Sequence, residues 1–365
     1  MIQMYLKRIS ILNFKNISDA KIEFSPKLNC ITGINGSGKS NLLDSIYYLS
    51  MSKSYFSNLD QYTISYGESL TAIHGDYSKE DGTEEKISLS LTSEGDKIIK
   101  RNGKNYHRLS DHIGLIPIVM VSPYDTCLIN ESGEERRRFL NAILSQTDRE
   151  YLRRMQNYNQ LLSQRNKLLK NSSISQDLLS AFSEQLSHNA GYIYLARKEF
   201  VESLTPLVSK YYSMLSGGRE EISIEYKSDL AQGALSGLLE KCLERDKAFK
   251  YTTSGIHRDD LLFSMNGNPI RKIGSQGQQK SFLISLKLAQ FSIFKDLHNK
   301  VPVLLLDDVF DKLDMQRVEY LLKLVASDFF GQIFITDSNK VRINSILDTI
   351  NGDTRSFEID SGTIL

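Results

Sequence analysis

The strongest constraint on the fold is an eight-residue stretch near the N-terminus: Gly33, Ile34, Asn35, Gly36, Ser37, Gly38, Lys39 and Ser40. Its glycines let backbone amides turn inward, and a lysine and a hydroxyl residue close it. Before it, Leu28, Asn29, Cys30, Ile31 and Thr32 read as an apolar strand. After it, the stretch from Asn41 to Leu49 carries helical spacing. A strand, a glycine-rich turn and a helix in that order make a cradle for phosphate. The amides and the helix N-terminus surround the anion, Lys39 reaches the β- and γ-phosphates, and Ser40 offers its hydroxyl to Mg2+. A Gly/Ser turn that merely caps a helix is the plainer alternative, and the flanking elements argue against it.

A second apolar run, Val303, Leu304, Leu305 and Leu306, ends in two carboxylates, Asp307 and Asp308. A buried central strand delivering acids to its carboxyl edge has this form. Asp307 is placed to hold Mg2+, directly or through water, and Asp308 to polarise an attacking water. The competing reading makes one of the two an N-cap for the following helix. Beside a phosphate loop, the metal reading is preferred.

Between these motifs the pattern changes character twice. The first forty residues alternate like strands, 70–104 resembles a small antiparallel sheet with a tight turn at Asn102 and Gly103, and 116–121 is a short buried strand. From 134 to 215 the chain is helix-compatible and holds one proline, Pro206. Strand patterning returns at 221–226 and 260–265, and the last hundred residues alternate helix and strand, which argues a parallel sheet with helical crossovers. The organisation expected is an α/β head built from 1–130 and 250–365, with a mainly helical arm, 131–249, between them.

Composition removes several classes. Hydrophobic residues make up 40% and charged residues 24%, ordinary for a soluble globular chain, and no stretch is apolar enough to span a bilayer. A role as a plain nucleotide-binding motor for a membrane partner is disfavoured by the long insert and by Thr336 and Asp337 where a switch histidine would stand, so no membrane partner is expected. Cys30, Cys127 and Cys242 are scattered, with no Cys-x-x-Cys pair, which fits a reducing cytoplasm rather than a disulfide framework or a cysteine-built metal site. The N-terminus reads as a strand, not as a secretory signal. With a net charge of only +1, a nucleic-acid surface must come from local clustering. From Arg136 to Lys170 nine Lys/Arg face two acids, and within them Arg136, Arg137, Arg138, Arg153 and Arg154 are the candidate DNA contacts. The same arginines are also able to pair with Glu134, Glu135 or acids of the head. Tyr151 and Tyr158 lie one heptad apart in that stretch and read more readily as core than as stacking platforms.

The third element decides the class. Ser275, Gln276, Gly277, Gln278, Gln279 and Lys280 open a helix and resemble the signature motif of ABC-type ATPases. There, a serine and a glycine at a helix N-terminus face the γ-phosphate held by a second subunit, an arrangement the helix dipole favours. The resemblance implies a P-loop NTPase head of ABC/SMC type, with Ser275, Gly277 and Gln278 joining residues 33–40 at the nucleotide. The 236 positions between Lys39 and Ser275 suit the SMC-type branch, which acts on DNA. Without a Cys-x-x-Cys hook, and with an insert whose longest arm of ~40 residues would span ~60 Å, a very long coiled coil is excluded.

Further stretches narrow the branch. Leu12-Asn-Phe-Lys-Asn16, Ser122-Pro-Tyr-Asp125, Arg136-Arg-Arg-Phe-Leu140, Tyr158 with Gln164-Arg-Asn-Lys167, Gly255-Ile-His-Arg-Asp-Asp260 and Leu305-Leu-Asp-Asp-Val309 together resemble the RecF family of bacterial recombination mediators over nearly the whole chain. That resemblance implies ATP and Mg2+ as cofactors, ATP-driven homodimerisation, and binding of single-stranded and gapped duplex DNA. It also implies cooperation with RecR and RecO in loading RecA, a setting of gap repair, fork maintenance and SOS induction, and a weak ATPase tied to DNA binding and dimer dissociation. The chain departs from the family at Gly133 and Ile256, where proline is common, at Gly274, and at Asp311-Lys-Leu-Asp314, where Ser-Glu-Leu-Asp is usual. Thr336 and Asp337 stand where many ABC ATPases carry a switch histidine, and Asp308 is shorter than their usual Glu, so slow hydrolysis is expected. His257, Arg258, Asp259 and Asp260 invite a metal or nuclease reading in the abstract, as in an ATP-dependent nuclease-complex subunit. A structural role for that knot is the preferred one.

Overall fold

The computed structural model describes residues 4–79, 81–171, 175–298, 300–327, 329–349 and 353–365. In chain order its strands are β1 (Met4–Phe14), β2 (Ile17–Glu23), β3 (Leu28–Thr32), β4 (Leu70–Lys79), β5 (Glu84–Thr92), β6 (Lys97–Arg101), β7 (Lys104–Asn105), β8 (Ile118–Val121), β9 (Ile222–Lys227), β10 (Asp260–Met265), β11 (Asn268–Pro269), β12 (Val303–Asp307), β13 (Ile333–Asp337), β14 (Thr354–Asp360) and β15 (Thr363–Ile364). The helices are α1 (Lys39–Met51), α2 (Cys127–Asn130), α3 (Gly133–Thr147), α4 (Arg149–Leu169), α5 (Gln176–Ser216), α6 (Leu235–Lys241), α7 (Leu243–Phe249), α8 (Ile270–Ile273), α9 (Gln276–His298), α10 (Met315–Ala326) and α11 (Lys340–Thr349). The chain divides into two compact units. One takes the chain up to Asp125, then Met214–Gly217 and Gln276–Leu365; the other is Thr126–Ser213 with Gly218–Ser275.

The first unit holds two sheets. An antiparallel one runs β2-β1-β4-β5-β6-β7, and a second runs β15-β14-β3-β13-β12-β8. In the second, β14, β3, β13, β12 and β8 are all parallel. Every residue of β3, β8, β12 and β13 is buried, as expected of strands covered on both faces, which therefore read as unbroken apolar runs. Helix α1 touches strands of both sheets, so eleven of its thirteen residues are buried and its apolar positions do not form one stripe. In α9, residues 281–294 are likewise buried all round. The β6–β7 turn places Asn102 and Gly103 at positive φ, the conformation that favours Asn-Gly in two-residue hairpins.

The second unit is mostly helical. Asp148 ends α3 and caps α4, accepting hydrogen bonds from the Glu150 and Tyr151 amides, which allows the two helices to fold back on each other. A small antiparallel sheet, β11-β10-β9, completes it. The limit expected at 249/250 falls inside this unit, because β10 pairs with β9 from Asp260↔Lys227 to Met265↔Ile222 and so keeps 260–265 with the helices. A pairing across more than thirty residues of intervening chain leaves no local signal.

Its polar centre is Arg197 of α5, 1% exposed, whose guanidinium donates to Asp259 Oδ2 at 2.6 Å, the Ile256 carbonyl at 2.8 Å, Asn141 Oδ1 at 3.0 Å and the Tyr151 hydroxyl at 3.0 Å. The Tyr226 hydroxyl donates to the same Asp259 oxygen at 2.5 Å. One buried cation thereby joins α3, α4, α5, β9 and the segment ahead of β10. Desolvation offsets much of the Coulomb gain of such a pair, so its hydrogen bonds carry the contribution; Asp259 Oδ2 is fully used, whereas Oδ1 is buried without a hydrogen-bond partner.

Candidate nucleotide site and the basic helix

The parallel strands deliver the chemistry to one edge. β3, β12 and β13 run in the same direction, so the segments that follow Thr32, Asp307 and Asp337 leave from the same side of the sheet. After Thr32 the loop turns through Gly33, Gly36 and Gly38 at φ 156°, 81° and 118°. Two of these glycines are required by space as well as by φ. A Cβ on Gly33 would lie 2.4 Å from the Ile359 carbonyl oxygen, and one on Gly38 would lie 2.9 Å from the Asn16 amide group.

Lys39 is 7% exposed and folds back over the loop, donating to the Gly33 carbonyl at 2.8 Å and the Ile34 carbonyl at 2.9 Å. The Ser37 hydroxyl is buried and has no hydrogen-bond partner, so a polar atom in the cradle is left for a ligand to satisfy. Ser40 Oγ donates to Asp307 Oδ1 at 2.9 Å, which brings the two expected Mg2+ ligands together from opposite ends of the chain. Mg2+ in such sites keeps several waters and takes only one or two protein oxygens, and this pair fits that requirement. The remaining residues of the loop, Ile34, Asn35 and Gly36, are exposed at its tip.

Around the acids, Thr336 is the organising residue. Its hydroxyl donates to Asp307 Oδ1 at 2.7 Å and accepts from the Asp308 amide at 3.0 Å, fixing both carboxylate-bearing residues from β13. Asp308 adopts φ 48°, an uncommon conformation for a residue with a side chain. Burial raises the pKa of the Asp307 carboxyl, against the pull of the Thr336 and Ser40 hydroxyls. Burial, and then the nearby Asp337, raise that of Asp308. A carboxylate with raised basicity suits a residue that orients a water and draws on its proton. Asp337, in the place of a switch histidine, is 2% exposed and pairs with Arg342 at 3.0 Å.

The signature segment begins at the surface. Ser275 and Gln276 are exposed and Gly277 and Gln278 half-buried, with α9 starting at Gln276. Lys280 donates to the carbonyls of Asp308 at 3.0 Å and Asp311 at 2.6 Å, tying the first turn of α9 to the loop that follows β12. In that loop Asp314 caps α10, accepting from the Arg317 amide at 2.9 Å.

Two supports of the phosphate loop lie outside it in the chain. The Ser37 carbonyl accepts from Asn16 Nδ2 at 3.2 Å and from the Gly362 amide at 2.7 Å. The turn between β14 and β15 therefore backs the loop from the far end of the chain. Asn16 closes the Leu12-Asn-Phe-Lys-Asn16 stretch, whereas Gly362 is marked in the sequence only by Ser361-Gly362, a short turn pair without chemistry of its own.

In the second unit the basic stretch sorts into two groups. Arg136 pairs with both oxygens of Asp260, at 2.6 and 3.0 Å, and also donates to the carbonyls of Leu128 and Glu131. Arg137 donates to the Asp259 carbonyl at 2.8 Å, and burial lowers its pKa. Arg138 pairs with Glu134 and Glu135, Arg154 with Glu150 while lying over the Tyr192 ring, and Arg165 is buried against Asp246. Much of the charge counted along the chain is thus held by the unit's own acids. Arg149, Arg153, Lys167 and Lys170 remain exposed, although Arg153 also pairs with Glu150 at 2.6 Å. On α4, Arg149 and Arg153 are one turn apart, and Lys167 lies two heptads beyond Arg153, so the three share a face.

Tyr151 and Tyr158 are core residues at 0% exposure. His257 is structural: its Nδ1 contacts the Tyr158 hydroxyl at 2.8 Å and its Nε2 the Thr252 carbonyl at 3.0 Å. The carbonyl accepts only, so Nε2 carries the proton and Nδ1 accepts from the tyrosine. Both ring nitrogens are engaged, and neither offers a lone pair to a metal. Among the described residues, no group of three or more His, Cys, Asp or Glu is placed to hold a metal ion, and no helix is long and apolar enough to cross a membrane. Ile256, where the family often has proline, is fully buried.

Residues 5–354 match the family model described as the RecF/RecN/SMC N-terminal domain. The DNA replication and repair protein RecF of Parabacteroides distasonis is 45% identical over 361 residues, covering 99% of both chains. That of Bacteroides thetaiotaomicron is 44% identical over 362 residues, covering 99% of this chain and 98% of its own. A solved structure of the recombination mediator protein RecF with ATP, in the RecFOR pathway, superposes with a TM-score of 0.89 at 33% identity, covering 99% of this chain and 97% of the other. An Smc head domain from Pyrococcus furiosus, at a TM-score of 0.57 and 16% identity, shares the fold.

Proposed function

Because the chain belongs to the RecF family, we propose that it binds ATP with Mg2+, pairs with a second copy of itself when it does so, and in that state binds DNA at single-strand gaps. On this reading it works with RecR- and RecO-type partners to load the recombinase RecA, in gap repair, fork maintenance and SOS induction. The observation that carries the proposal is the joining of Lys39, Ser40 and Asp307 on one sheet edge, beside a half-satisfied cradle containing the Ser37 hydroxyl.

ATP supplies a negatively charged triphosphate whose terminal phosphoryl group is transferred to water, with ADP as the leaving group. The protein's part is to receive it. Lys39 exchanges two carbonyl partners for phosphate oxygens, loop amides and the dipole of α1 face the anion, and Ser40 with Asp307 orient Mg2+. Asp308 holds a water near the terminal phosphate. Its short side chain and the absence of a switch histidine favour slow turnover, so that nucleotide acts mainly as a dimerisation signal. Ser275, exposed just ahead of α9, with Gly277 and Gln278 in its first turn, serves the nucleotide of the second copy. DNA is held through backbone phosphates, with Arg153 and its neighbours on α4 as contacts and Arg136 and Arg137 as the framework behind them.

Analytical sedimentation with ATP, with and without gapped DNA, tests the reading on wild type, Lys39→Ala and Ser275→Ala. Lys39→Ala is expected to lose ATP binding, dimerisation and ATP-dependent DNA binding together. Ser275→Ala is expected to keep ATP binding and lose dimerisation. A wild-type chain whose DNA binding ignores ATP would refute the proposal, and DNA cleavage in the same mixture would favour a nuclease-complex subunit instead.

A further inference from the structure

A phosphate loop offers an anion its backbone amides, and an amide is useful only if its peptide is turned the right way. Here the peptide that joins Ser37 to Gly38 is fixed by two residues from outside the loop. Asn16, in the turn between β1 and β2, donates from Nδ2 to the Ser37 carbonyl at 3.2 Å. The Gly362 amide, in the turn between β14 and β15, donates to the same oxygen at 2.7 Å. A carbonyl oxygen carries two lone pairs, and both are then engaged. The hydrogen bonds of α1 start at the next carbonyl, that of Gly38, which accepts from the Leu42 amide at 3.0 Å.

Both supports are themselves held. Asn16 Oδ1 accepts from Asn41 Nδ2 of α1 at 2.7 Å, which leaves the Asn16 Nδ2 to face the loop. Ser361 and Gly362 are the central residues of a hairpin closed by Asp360↔Thr363, at φ 50° and 84°. A Cβ on Gly362 would overlap the Asn16 carbonyl oxygen, so the two turns press on each other as well as on Ser37. The same hairpin reaches the other end of the loop, where the Ile359 carbonyl lies against Gly33.

A trans peptide is planar, so its N–H points opposite to its C=O, and among the described residues no peptide bond is cis. With the Ser37 carbonyl drawn toward the two turns, the Gly38 N–H is turned away from them. We infer that Asn16 and Gly362 are positioning residues for ATP, which hold the Gly38 amide aimed into the phosphate cradle. The inference rests on the ATP binding proposed above and adds the groups that orient one donor of the cradle. An amide held in place needs no reorganisation when the anion binds, and its contribution comes from that. Neither residue needs to touch the nucleotide.

Calorimetric MgATP binding to full-length wild type, Asn16→Ala and Gly362→Ala tests it. Each variant is expected to weaken binding at least about tenfold, because a hydrogen bond to a charged group is misaligned. Asn16 is exposed, so its truncation leaves the core in place, and it decides the matter if Gly362→Ala fails to fold. A second readout follows the amide itself, by nuclear magnetic resonance on protein with isotope-labelled glycine. The Gly38 amide proton is expected to move downfield when ATP binds wild type, as protons donated to anions do, and to move clearly less in Asn16→Ala saturated with ATP. Unchanged affinity, or an unchanged Gly38 shift, in Asn16→Ala overturns the inference alone. A wild-type chain that does not bind ATP removes the ATP-binding reading and this inference with it.

Discussion

Acidification is expected to loosen the helical unit through His257. The ring contacts the Tyr158 hydroxyl and the Thr252 carbonyl, and burial lowers its pKa to about 4 from the usual 6.5. The unfolded chain takes up a proton near pH 6.5, whereas the folded chain resists until about pH 4, so the unfolded state binds more protons between these values and stability falls as pH falls. Each pH unit in that window is worth about 1.4 kcal/mol, and the whole of it about 3 kcal/mol. The ring keeps some contact with water, so about 1–2 kcal/mol of loss between about pH 7 and pH 4.5 is the working value. Urea unfolding followed by circular dichroism, to which α5, the longest helix, contributes strongly, measures it. His257→Gln lacks the titrating group and is expected to show a flatter profile than wild type by that amount. Parallel profiles for the two proteins would refute the assignment of a buried, neutral imidazole.

Four further substitutions have outcomes set by the sites. Gly33→Ala places a methyl group 2.4 Å from the Ile359 carbonyl at a φ that disfavours side chains, so ATP affinity by calorimetry is expected to drop at least about tenfold with the helical content unchanged. Asp307→Asn keeps a partner for Ser40 and Thr336 but removes the charge that faces Mg2+, so ATP binding is expected to become nearly insensitive to Mg2+ between chelated and millimolar conditions. Arg153→Ala is expected to weaken DNA binding modestly and reduce the slope of log affinity against log salt by about one, whereas Arg136→Ala leaves Asp260 without its bidentate partner and is expected to lower thermal stability, by about 1–3 kcal/mol. Salt titration and thermal melts separate these two effects.

The nucleotide site was legible because its parts are local. Residues 33–40 carry their conformational requirement in consecutive positions, and Val303 to Leu306 announce a strand covered on both faces before Asp307 closes it. The fate of the basic stretch was less legible for the opposite reason. A count of cations along 136–170 does not show that Asp260 takes Arg136, that the Asp259 carbonyl takes Arg137, or that Asp246 takes Arg165. The structural reading of His257 was available from its lack of partner ligands, but its tautomer needed Tyr158 and Thr252 in place.

Sequence alone was enough to determine that this chain builds a phosphate loop, an acidic strand end and a signature helix in the order of an ABC/SMC-type head of the RecF family, since each depends on residues adjacent in the chain. Only tertiary structure decided which groups act together: Ser40 with Asp307, Thr336 beneath both acids, and Asn16 with Gly362 behind Ser37. Those contacts join segments as much as three hundred residues apart, and their partners are chosen by the register of parallel strands rather than by any local pattern.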